Sequence, residues 1–141
     1  MRLFARPHQI PGRLAAGAVI LNSGLTKIRA DETAATELHA FAKGTYPFLA
    51  DVDPVAFVRM LGKAEIVLGA ALLLPFVPTL LAGTALAGFA GGLLGLYLRT
   101  PGMREENSLR PTEQGIPLAK DVWLLGIALG LIIEELGAKR R

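Results

Sequence analysis

Apolar residues fall in long blocks along this chain, with polar residues gathered in the gaps. Four blocks stand out, at about 11–28, 54–77, 78–99 and 118–136. None alternates with period two, as a half-buried strand would. A run of about 18 or more apolar residues can cross a hydrocarbon core of roughly 30 Å as a helix. The stretch from Ile66 to Leu98 carries no charged residue and is too long for one crossing. Pro75 and Pro78 divide it, because proline removes a backbone donor and restricts the residue before it. In a bilayer only helices and closed barrels satisfy their own backbone groups. The pattern therefore predicts an all-α fold: a four-helix transmembrane bundle forming a single membrane domain over residues 1–141.

Local signals set the boundaries. Asp53 offers an N-cap and Pro54 a first helical position to the second segment. Pro101-Gly102 stops the third, and Gly137 offers a C-cap to the fourth. Little more than "PFVP" joins the second and third, which predicts a tight antiparallel hairpin. The 29–53 connection contains "DETAATELHAFAKG". Asp31 can cap this stretch, Leu38 and Phe41 share a face, and Gly44 can end it. A short amphipathic helix at the membrane surface is expected there, between helices one and two. Residues 100–117, "TPGMREENSLRPTEQGIP", are loop chemistry. Arg2, Arg6 and Arg13 precede an apolar stretch that flows into "NSGLTKI" without a small-residue cleavage site. It reads as a retained helix.

Composition agrees with the membrane class. Hydrophobic residues make up 52% of the chain, charged residues only 19%, and mean hydropathy is +0.44. Soluble domains carry about a quarter charged residues. The net charge of +3 does not point to nucleic acid, because the basic residues flank apolar segments and form no patch. Arg2, Arg6, Lys139, Arg140 and Arg141 are expected to meet lipid headgroups. The chain has no cysteine, which excludes a CxxC pair, a cysteine-held Fe–S cluster and a disulfide within it. His8 and His39 lie in different regions, so no metal site is expected.

The helix faces carry the candidate chemistry. Arg13, Gly17, Ile20, Gly24 and Lys27 form one stripe on the first helix, and Val58, Gly62, Glu65, Gly69, Leu72 and Phe76 form one on the second. Small residues let membrane helices approach closely. Gly88 and Gly92, Gly91 and Gly95, and Gly126 and Gly130 give similar faces to helices three and four. These faces suit packing and leave a homo-oligomer open. Glu65 shares its stripe with glycines, so it should point into the bundle. An ionised group facing lipid costs roughly 2.5–3.5 kcal/mol on insertion scales, so Glu65 needs a partner. Lys27 ends the first stripe at a depth its stem can span. Lys27, Arg59, Lys63, Glu65, Lys120, Asp121 and Trp123 are expected to converge near one end of the bundle, as an ion-pair network or as a polar ligand pocket.

"SGLTKI" (23–28), "GKAEIVLGAALLL" (62–74) and "LAKDVWLLG" (118–126) resemble the DoxX family of bacterial membrane proteins. The resemblance runs from Arg13 to Gly130. The family's recurring Arg, Gly and Lys of helix one correspond to Arg13, Gly17, Gly24 and Lys27. Its Glu and Gly of helix two correspond to Glu65 and Gly69, and its Lys-Asp before helix four to Lys120 and Asp121. The family is named for similarity to the small membrane subunit of an archaeal thiosulfate:quinone oxidoreductase. Some members are linked with oxidative and thiol stress, alongside superoxide dismutase and a sulfurtransferase. The resemblance implies a multi-pass protein of the bacterial inner membrane with cytoplasmic termini.

Three functional classes follow. A redox membrane subunit would bind a quinone headgroup, with Lys27 and Glu65 donating or relaying protons and Trp123 packing on the ring. A non-catalytic membrane anchor would assemble soluble redox enzymes through its loops. A small transporter would use Glu65 as its coupled carboxylate.

Overall fold

The computed structural model describes residues 4–140, so Arg2 and Arg141 lie outside it. Among the described residues the long regular elements are all helices. They are α1 (Ile10–Ile28), α2 (Glu32–Thr45), α3 (Pro54–Leu73), α4 (Thr79–Arg99), the single turn α5 (Ile116–Ala119) and α6 (Val122–Lys139). They form two compact units, one ending at Val77 and the other starting at Pro78. α4 and the segment Ile116–Lys139 are each long and apolar enough to cross a membrane. α1 and α3 are of similar length, but α1 carries Arg13 and Lys27, and α3 carries Arg59, Lys63 and Glu65.

In the first unit, α1 and α3 pack together and α2 lies against α3. The Asp31 carboxylate accepts from the Ala34 N–H at 2.8 Å, and that of Asp53 accepts from the Ala56 N–H at 3.0 Å. Each satisfies one donor that the first helical turn leaves without an intrahelical partner. Gly44 does not end α2. The helix continues to Thr45, and the Tyr46 N–H closes it on the Ala42 carbonyl at 2.9 Å. Its buried face runs through Ala35, His39 and Ala42 and meets Phe57 and Val58 of α3. Leu38 packs at the edge of this cluster, whereas Phe41 is only half-buried. His39 is accommodated because its Nε2 bonds the Leu49 carbonyl at 2.7 Å and its ring meets Phe57 edge-on.

α3 ends at Leu73, short of the expected Val77. A residue before proline avoids the helical region, and Leu74 is extended at φ −84°, ψ 114°. Phe76 therefore falls beyond the helix and is exposed.

In the second unit, α4 packs on α6 through Ala82, Gly83, Leu86, Ala128 and Leu131. Gly137 lies within α6, which ends at Lys139 with Arg140 as its cap. The fourth apolar segment begins earlier than expected, because Pro117 opens the turn α5. Residues 100–115 fold on themselves. The Tyr97 hydroxyl donates to the Leu109 carbonyl at 2.5 Å, Arg104 donates to the carbonyls of Leu98 and Ser108, and Thr112 donates to that of Gly102. A single antiparallel bridge joins Arg104 and Pro111.

Candidate functional site

The two small-residue stripes meet along the α1–α3 contact. A Cβ placed on Gly17 would lie 3.0 Å from the Gly69 carbonyl oxygen, and one on Gly24 would lie 2.7 Å from that of Gly62. Two backbones therefore touch at two points about two turns apart, and the register is antiparallel. Ile20 lies between these points, buried. Glu65 sits on α3 between Gly62 and Gly69 and is 2% exposed.

Close approach of the helices fixes the partner of Glu65. The Lys27 ammonium lies 2.9 Å from Oε1 and 3.1 Å from Oε2, so both carboxylate oxygens are engaged. The same ammonium donates to the Ser23 hydroxyl at 2.6 Å. Ser23 is one turn earlier on the same helix face, an i,i+4 relation visible in "SGLTK". The Lys27 side chain is 20% exposed, so the pair is sealed on its acidic side and open on its basic side.

The other end of the contact is held by Arg13, which is 1% exposed. Its guanidinium donates to the carbonyls of Leu72 at 2.9 Å, Ala71 at 2.7 Å, Leu74 at 2.9 Å and Val77 at 3.1 Å. The last turn of a helix leaves its carbonyls without intrahelical donors, and its dipole favours a cation there. Arg13 meets both needs for α3. Stripe membership alone did not reveal this, because the role depends on where α3 stops.

The remaining expected site residues are placed as follows. Arg59 and Lys63 are exposed on α3, outside the bond network of Lys27 and Glu65. Lys120, Asp121 and Trp123 belong to the second unit. Lys120 and Asp121 form the junction between α5 and α6, and Trp123 is 69% exposed in the first turn of α6. A Cβ at Gly88, Gly91, Gly126 or Gly130 would meet no atom of the described residues within 4 Å outside its own helix turn. Among the described residues no group of His, Cys, Asp or Glu is arranged to hold a metal ion. No protein-family model, no curated protein and no solved structure matches the chain.

Proposed function

We propose that this chain is a DoxX-like subunit of a quinone- and thiol-linked redox system in the bacterial inner membrane. In this reading it crosses the bilayer four times, through α1, α3, α4 and the α5–α6 segment. The observation that carries it is the buried Lys27–Glu65 pair, formed by two residues on which the family resemblance rests. Of the charges on α1 and α3, those of Arg13, Lys27 and Glu65 are answered inside the pair of helices, and Arg59 and Lys63 stay exposed on α3. Glu65 is paired with the Lys27 ammonium, and the Arg13 guanidinium is solvated by backbone carbonyls that accept its N–H groups. Mid-helix outward positions include apolar ones: Val19 is 65% exposed and Val67 69%, while the exposed Arg59 and Lys63 lie in the first half of α3. Such side chains suit lipid better than water.

A quinone presents carbonyl acceptors, and its reduced form presents hydroxyl donors. Lys27 is the donor within reach of an entering group, and Glu65 is an acceptor already held in place. The quinone would supply the two-electron chemistry that a chain without cysteine cannot supply from its side chains. The test is equilibrium binding of a soluble quinone analogue to the purified protein in lipid nanodiscs. Saturable binding is expected, weakened by Glu65→Gln and by Lys27→Met at a temperature where circular dichroism shows each destabilised variant still folded. Binding that is unsaturable, or identical in both variants, would leave the pair as a strut between helices.

The second reading is a membrane anchor for soluble redox enzymes such as a superoxide dismutase or a sulfurtransferase. It is favoured by the self-bonded 100–115 loop, a preshaped polar surface. Stoichiometric co-purification of such an enzyme, lost on replacing this loop, would favour it over quinone binding.

A further inference from the structure

The second unit carries a concave site unrelated to the Lys27–Glu65 pair. Where α4 ends, residues 98–102 and 104–107 line an open groove of about 320 Å³. Leu98, Thr100 and Pro101 form part of its wall, and Arg99, Arg104, Glu105 and Glu106 bring charge of both signs to it. Arg104 is fixed by its bonds to the Leu98 and Ser108 carbonyls at 2.9 and 3.3 Å. Glu105 has only a loose contact with Arg110 at 4.0 Å, and that arginine is largely exposed. The side chains of Arg99 and Glu106 have no polar partner among the described residues.

From this groove we infer a binding site for a zwitterionic headgroup carrying a phosphate and a primary ammonium, as in a phosphatidylethanolamine lipid. Arg99 takes the phosphate through its guanidinium fork, and Arg104, held by its two carbonyl bonds, adds its positive charge beside it. Glu105 and Glu106 take the ammonium. A choline headgroup offers the carboxylates no N–H donor, and a glycerol headgroup offers them no cation. Both are therefore held less well. Position supports a lipid. The groove begins at the last turn of an apolar helix long enough to cross a membrane. Leu98, 46% exposed, precedes the charged residues at the end of α4, and in the membrane reading it would meet the start of the acyl chains. Arg99 and Arg104 follow where headgroup phosphates lie. The loop that shapes the groove is internally bonded, so little order is lost on binding.

The inference rests on the membrane reading of α4, and the experiment separates the two. Carbonate extraction of cell membranes tests insertion alone. Protein released by carbonate would end the membrane reading. The delipidated protein is then offered equal amounts of phosphatidylethanolamine, phosphatidylcholine and phosphatidylglycerol, and bound lipid is read by native mass spectrometry. Phosphatidylethanolamine is expected to exceed each of the others by about tenfold, the effect of one well-placed charged hydrogen bond. Glu105→Gln with Glu106→Gln should abolish its advantage over phosphatidylcholine, and Arg99→Gln should lower retention of all three. Equal retention of the three lipids by an embedded protein would overturn the assignment. So would a preference for phosphatidylglycerol that survives the double variant. Soluble glycerophosphoethanolamine binding as tightly as the lipid would assign the groove to a soluble zwitterion instead.

Discussion

Gly24 and Gly62 meet backbone to backbone where α1 crosses α3. A Cβ on Gly24 would stand 2.7 Å from the Gly62 carbonyl oxygen, and one on Gly62 would stand 3.0 Å from that of Gly24. Neither position has room for a side chain unless the helices separate. Separation would also lengthen the reach from Lys27 to Glu65. Gly24→Val is expected to destabilise the first unit by at least about 1–3 kcal/mol, the usual range for overpacking. Gly44 is the contrast, since a Cβ there meets nothing within 4 Å. Gly44→Ala should be stabilising by about 0.5–1 kcal/mol through helix propensity. Denaturant or thermal melting of the two variants in one detergent checks both signs.

Arg13 provides a second test. Replacing it by Met removes the donor set that serves Ala71, Leu72, Leu74 and Val77. A buried polar group left without a partner costs about 1–3 kcal/mol, so the loss should reach several kcal/mol even if some carbonyls find water. Arg13→Lys should recover little, because an ammonium cannot spread its donors as the guanidinium fork does. Melting of both variants, with hydrogen exchange over residues 68–77, measures the effect. Full stability in Arg13→Lys would show that charge at the helix end suffices without the fork.

Coupling between Lys27 and Glu65 predicts strong non-additivity. Removing either partner alone leaves a charge unpaired in a dry contact, at a cost of about 3–5 kcal/mol. Lys27→Met with Glu65→Leu removes both and should be milder than either single change. Strictly additive melting shifts would contradict the pairing.

The extent to which the sequence announced this structure differs by element. Most of each apolar block became helix because length and a high apolar content are block properties that need no tertiary context. The α1–α3 contact was also legible. Spacing alternating between four and three residues placed Arg13, Gly17, Gly24, Gly62, Glu65 and Gly69 on facing stripes, and all are buried. Other features depended on distant geometry. Arg13 caps α3 only because Pro75 ends that helix a turn earlier than hydrophobicity suggests. The 100–115 fold requires Tyr97 to reach Leu109 and Asn107 to take a φ of 54°, neither of which periodicity reports. His39 has the helix spacing of a core position, yet its polar ring needs the Leu49 carbonyl, which only the folded chain supplies.

The most direct test of the central claim asks what solvent surrounds the first unit. The chain has no cysteine, so each introduced cysteine is unique. Val67 is 69% exposed on α3, and Glu105 is 52% exposed in the second unit's loop. Val67→Cys and Glu105→Cys are treated with a membrane-impermeant maleimide from each side of native membranes and again after detergent denaturation. If α3 crosses the bilayer, Val67→Cys stays unlabelled from both sides until denaturation, while Glu105→Cys reacts from one side. Labelling of Val67→Cys as fast as Glu105→Cys in intact membranes would place α3 in water and contradict the account.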